Sequence, residues 1–183
     1  MPDLLGQHCV SSYKGMHKKA RTQVPLLRSL LIAVPVAISV PVHAAIESES
    51  AIRWDRYVDS QSGTSVDVPT NIFLDDGPAQ HGSGRQFASK DERARLAVYS
   101  LPNTDRTSPA SYLKKHLTVN TGVFDYRRIT SRFFVVSGVR RGVVYYSRCN
   151  FRGAKLNCMY IQYPQNEKRA WDGIVTRMSL SLR

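Results

Sequence analysis

From residue 53 onward, apolar and polar positions alternate with the period of two that marks strands, interrupted twice by helical spacing. Trp54–Val58 and Thr64–Val68 read as strands joined by the turn Ser60-Gln61-Ser62-Gly63, with Pro69 closing the second. Ile72 and Phe73 read as a single helical turn. Asp75–Gly84 (DDGPAQHGSG), with three glycines and a proline, reads as an irregular loop. Arg85–Ser89 and Ala94–Tyr99 form the next expected hairpin, around Lys90–Arg93.

Ser108 followed by Pro109 predicts a helix start, with serine as N-cap and proline in the first turn. Ala110, Leu113 and Leu117 give it one apolar stripe, and it should end before Asn120-Thr121-Gly122. Four strands are expected next: Val123–Thr130, Phe133–Val139, Val143–Phe151 and Lys155–Tyr163. Pro164 stops the last, and Asn166 is placed to cap a final helix. There Trp171, Ile174, Val175 and Met178 follow the i, i+3, i+4, i+7 spacing of a helix laid on a core. The order ββ, ββ, α, ββββ, α predicts an α+β fold: a mainly antiparallel sheet with helices packed on it.

The hydropathy pattern changes character before residue 53. Lys18, Lys19, Arg21 and Arg28 precede an uncharged apolar run, Ser29–Val42, and Val42-His43-Ala44 places small or branched residues where a signal peptidase reads. Residues 1–45 therefore read as a cleavable signal segment, residues 46–52 as a short linker and residues 53–183 as one domain. A membrane anchor is the competing reading. The run is shorter than the roughly 20 residues a spanning helix needs, and Pro35 and Pro41 interrupt it. Met16 begins a compact signal, so it is the expected true start. Export predicts a periplasmic or secreted protein without a transmembrane anchor in its mature form.

Residues 46–183 carry 21 Lys+Arg and 13 Asp+Glu, a net +8 spread along the chain as arginine, with pairs at Arg127-Arg128 and Arg140-Arg141. Nucleic-acid binders cluster such charge around interleaved aromatics. No binding module of that kind is recognisable, and no nucleic-acid partner is expected. A basic exported surface instead suits an envelope protein or an anionic envelope component as partner.

Cys9 lies in the leader, leaving Cys149 and Cys158 for an oxidising compartment. With Gly153-Ala154 as a two-residue turn, these two face each other across the last hairpin, so a structural disulfide is expected. The same register puts Val144, Tyr146, Met159, Ile161 and Tyr163 on one face with Arg148. Tyr145, Ser147, Tyr160 and Gln162 go on the other with the cysteines. Arg148 on the more apolar face is the anomaly. Either its stem is covered while its head reaches water, or it is paired with an acid or reads an anion. Arg148, Arg140, Arg141, Tyr145 and Tyr160 are the candidate ligand or anion contacts.

Candidate chemistry is sparse. Asp75, Asp76 and His81 could make a metal site or simply a polar loop, but their spacing matches no metal signature. His116 lies beside the helical stripe and reads as structural or solvent-facing. His81-Gly82-Ser83-Gly84 is not a Gly-x-Ser-x-Gly nucleophile elbow. No catalytic residue or cofactor is assigned.

The segments RWDRYVDSQSGTSVDVP, SGVRRGVVYYSRC and RAWDGIVTRMSLSL resemble uncharacterised small exported proteins of Gram-negative bacteria. More distantly, an aromatic strand, a turn, a strand ending in Val68-Pro69 and a final amphipathic helix ending near Ser181-Leu182 are similar to the PsbP-like α+β fold. The first resemblance implies an exported domain over residues 53–183. The second implies an accessory or binding module rather than an enzyme. The expected function is thus an exported, non-enzymatic accessory or binding domain. The alternatives are a hydrolase or metal-dependent enzyme using Asp75–Gly84, and a structural or stress-related envelope protein. Mass spectrometry of the exported protein should find Ala45 or Ile46 at its N-terminus; a retained leader would refute the cleaved signal.

Overall fold

The computed structural model describes residues 51–116 and 124–183. The signal segment, the start at Met16, most of the linker, and the expected helix end at Asn120-Thr121-Gly122 lie outside the described residues. So does Val123, the expected first residue of the next strand.

A two-stranded hairpin, β1 (Trp54–Val58) and β2 (Ser65–Pro69), comes first. Seven further strands form one antiparallel sheet: β3 (Phe73–Pro78), β4 (Ser83–Ser89), β5 (Arg95–Pro102), β6 (Tyr126–Ile129), β7 (Phe133–Arg140), β8 (Val143–Arg152) and β9 (Lys155–Pro164). Their spatial order is β3-β4-β5-β9-β8-β7-β6. Helix α1 (Pro109–His116) and helix α2 (Lys168–Ser181) complete the domain. The fold is α+β, as expected.

The longest strands, β8 and β9, pair with Cys149 opposite Cys158 and Arg152 opposite Lys155, the register that the Gly153-Ala154 turn dictates. The cysteines are bridged, with Cα atoms 4.1 Å apart. Because side chains alternate across a strand, this register assigns every residue of the sheet to one of two faces. On the first face, Leu96, Val98, Val144, Met159, Ile161 and Tyr163 are buried beneath α2 and the β1–β2 hairpin. Helix α2 contributes Trp171, Ile174, Val175 and Met178, all buried. Trp171 stacks on Tyr163 at 5.4 Å between ring centroids and donates its indole N–H to Glu167. Tyr163 is held to its neutral form, its phenol pushed up to about 12, chiefly by burial. On the second face, Tyr99, Leu101, Phe134, Leu156 and the disulfide pack against Tyr112 and Leu113 of α1. Ser108 Oγ accepts the Ser111 N–H, which is the expected N-cap.

Three expectations are corrected. Phe73 is not in a helical turn: it opens β3, where its side chain is buried and meets Trp171. Asp75–Gly84 is not an irregular loop but the arms and tip of the β3–β4 hairpin, with a bulge between Asp75 and Pro78. The bulge breaks the alternation that would have marked the strand. Asn166 does not cap α2. A 3₁₀ turn over Gln165–Glu167 precedes the helix, whose N-cap is Glu167.

The glycines of the hairpin tip have a steric cause. Gly84 has φ +132°, and a Cβ there would stand 2.1 Å from the Val98 carbonyl oxygen. A Cβ added at Gly82 would likewise stand 1.9 Å from the Ser100 carbonyl oxygen. Both strands are central to the sheet, so neither backbone can yield cheaply. Gly84→Ala should destabilise the domain by about 3 kcal/mol, read as a lower midpoint in urea; an unchanged midpoint would show that β4 does not press on β5 as described.

Candidate functional site

The residues singled out from sequence separate onto different surfaces. Arg140 and Arg141 are exposed at the β7–β8 turn, where Arg141 (φ 51°) and Gly142 (φ 77°) supply the left-handed pair that a tight hairpin needs. Arg140, Tyr145 and Tyr160 lie on the face that carries the disulfide. The Tyr145 ring lies over Gly138, where an added Cβ would meet its hydroxyl at 2.4 Å. Burial raises the Tyr145 phenol above its ordinary value, Asp125 adds to this, and Arg140 opposes it. Tyr160 donates a long 3.5 Å bond to Gln162. Arg148 points to the opposite face, so the proposed anion contacts do not form one site.

Asp75 and Asp76 also point to opposite faces of β3. Asp75 pairs with Arg85 at 3.1 Å and Asp76 with Arg95 at 2.7 Å. Among the described residues no group of three His, Cys, Asp or Glu side chains is placed to hold a metal. The two carboxylates cannot converge on one ion, because successive strand residues alternate sides. His116 is half-buried and packs on Tyr112 at 4.4 Å. Its imidazole is lowered from its usual value by burial and then by Lys115.

Arg148 is the residue whose surroundings are least ordinary. It is half-buried, its guanidinium lies 4.5 Å from the centre of the Phe133 ring, and no carboxylate among the described residues pairs with it. Nε donates to Asn150 Oδ1 at 3.0 Å and Nη1 donates to Ser179 Oγ at 3.2 Å, which leaves Nη2 uncommitted. Ser179 Oγ also bonds the Tyr146 hydroxyl at 2.6 Å. Burial lowers the Arg148 pKa, and Arg183 and Arg128 lower it further as like charges.

Sequence reasoning missed the second half of this cluster. Arg128 on β6 and Arg148 on β8 both stand opposite Val135 on β7, so they share a face and a row. Arg128 also leans over Phe133, at 5.6 Å. Exposed Tyr126 and half-buried Ser137 occupy the next row along, beside Tyr146. The signal lay in the hairpin Arg127–Phe134, where Arg128 and Phe133 sit on facing strands. Reading it required the register of three strands together.

A concavity of about 700 Å³ opens between α2 and the β1–β2 hairpin and is lined by Arg56, Asp67, Thr176, Arg177 and Arg183 among others. Its charges are largely matched: Asp67 pairs with Arg56 at 2.8 Å and with Arg177 at 3.6 Å, and Arg177 stacks on Trp54.

No family model and no curated protein matches the chain. Among solved structures, it is similar to the solution structure of cyanobacterial PsbP (CyanoP) from Synechocystis sp. PCC 6803, with a TM-score of 0.54 at 10% identity, covering 74% of this chain and 95% of that one. The likeness is one of fold, as the PsbP-like pattern in the sequence led us to expect.

An unpaired, half-buried guanidinium beside two others is unfavourable for folding. Arg148→Met keeps the apolar stem and removes the charge. It should raise stability by about 0.5–1 kcal/mol at low salt, with the gain shrinking as salt screens the repulsion. A loss above about 2 kcal/mol in chemical denaturation would instead make Arg148 a strut for the last turn of α2.

Proposed function

We propose that the protein is an exported, non-enzymatic accessory or binding domain whose arginine-rich surface engages an anionic component of the cell envelope. The observation that carries this reading is the Arg128–Phe133–Arg148 cluster. It places positive charge on an open sheet face with no carboxylate to neutralise it among the described residues. A guanidinium left without a counter-charge on a sheet face suits the recognition of an anion.

Other facts support the reading without specifying the partner. The buried Cys149–Cys158 bridge fits an oxidising compartment, periplasmic or secreted. Among the described residues no helix is long and apolar enough to cross a membrane. The PsbP-like fold favours an accessory role by analogy, and so does the resemblance of three segments to small exported Gram-negative proteins.

The purified exported protein should be retained on vesicles containing phosphatidylglycerol or on an anionic polysaccharide. Retention should fall steeply between low and physiological salt. Equal retention on neutral and anionic supports at low salt would refute the electrostatic reading. A turnover activity abolished by one substitution in a folded variant would refute the non-enzymatic part of the reading.

A further inference from the structure

One strand, β7, separates Arg128 on β6 from Arg148 on β8, so their Cα atoms are two inter-strand spacings, about 10 Å, apart. Both side chains nonetheless lean inward over one ring, Phe133, between the two strands. Like charges would be expected to splay apart on an open face, and these converge. A guanidinium lying on an aromatic ring uses its face for that contact and keeps its N–H donors in the plane. Arg148 spends Nε on Asn150 and Nη1 on Ser179, so its free donors are those of Nη2, while Arg128 approaches the same ring from β6. Arg148 Nη2 is uncommitted, and Arg128 is exposed and enters none of the ion pairs of the described residues. Tyr126 and Ser137 occupy the adjoining row of the same face.

We propose that Arg128, Phe133 and Arg148 form a clamp for a single phosphate group, either free in solution or carried on a lipid headgroup. The chemistry favours phosphate over carboxylate. A carboxylate is planar, carries one charge, and is matched in geometry by a single forked guanidinium. A phosphate is tetrahedral, carries up to two charges, and accepts hydrogen bonds from two arginines approaching from opposite sides. Its charge offsets the repulsion between the arginines, and the Phe133 ring holds both forks in place before the anion arrives. The clamp rests on the envelope-binding reading only for its lipid source. It gives the diffuse arginine surface one point of chemical selectivity.

The test follows the arginine Nε–Hε resonances of the purified exported protein during titration with inorganic phosphate, against sodium chloride at matched ionic strength. The Arg128 and Arg148 signals should shift saturably with phosphate and not with chloride. Arg128→Gln, at an exposed position, should weaken phosphate binding at least fivefold. Arg148→Lys, which keeps the charge and loses the fork, should weaken it as well. Arg169→Gln removes one exposed charge from α2 and should leave it unchanged. Vesicles of phosphatidylglycerol and of phosphatidylcholine form the second arm. Retention on the former that Arg128→Gln reduces more than Arg169→Gln assigns the phosphate to a lipid headgroup. Phosphate shifts without retention on vesicles or on an anionic polysaccharide assign it to the free ion and refute the envelope reading while the clamp stands. Absent or non-saturating shifts at both arginines would overturn the clamp. So would equal losses with Arg128→Gln and Arg169→Gln, even with vesicle retention intact.

Discussion

Cys149 and Cys158 face each other across the β8–β9 hairpin, at the middle of the seven-stranded sheet, and their bridge fixes the register of the two longest strands. A slip of one residue would turn Val144, Ile161 and Tyr163 out of the core beneath α2. It would also carry the cysteines from under α1 to the other face. The short turn at Gly153-Ala154 and the bridge enforce the same register independently. β5 pairs outward from β9 and β7 outward from β8, so both halves of the sheet inherit their alignment from this pair. Burial beneath α1 keeps the sulfurs from solvent, which suits a structural bridge.

That register also creates the arginine cluster. Once Arg148 is fixed on the face opposite the cysteines, its cross-strand neighbour is Val135, and Val135's other neighbour is Arg128. The domain commits its α2 face to an apolar core over β5, β9 and β8, and leaves the β7–β6 end of that face open. Most other arginines near carboxylates are neutralised locally, as in Arg56–Asp67 and Arg95–Asp76. Among the described residues the pair over Phe133 is not, which sets it apart from the balanced charge elsewhere on the domain.

Much of the fold was legible in the chain. The α2 stripe, the N-cap at Ser108, the hairpin turns and the Cys149–Cys158 pairing follow from local periodicity and turn chemistry, which act over a few residues. The failures share a cause. β3 was concealed because its bulge, two aspartates and Gly77-Pro78 imitate a loop. Its strand conformation is imposed by pairing with β4 and by burial of Phe73 against Trp171. The glycines at 82 and 84 suggested a ligand loop, yet they serve the close approach of two backbones.

The candidate site divides the same way. By itself the sequence determined the face of Arg148 and the anomaly of a charge there, because the alternation of one hairpin fixes sidedness. It could not say that no carboxylate among the described residues meets that charge, or that Arg128, twenty residues earlier, leans on the same aromatic ring. Which strands become neighbours is decided by how the whole set of apolar faces is buried together. Contacts across three strands therefore exist only in the tertiary structure.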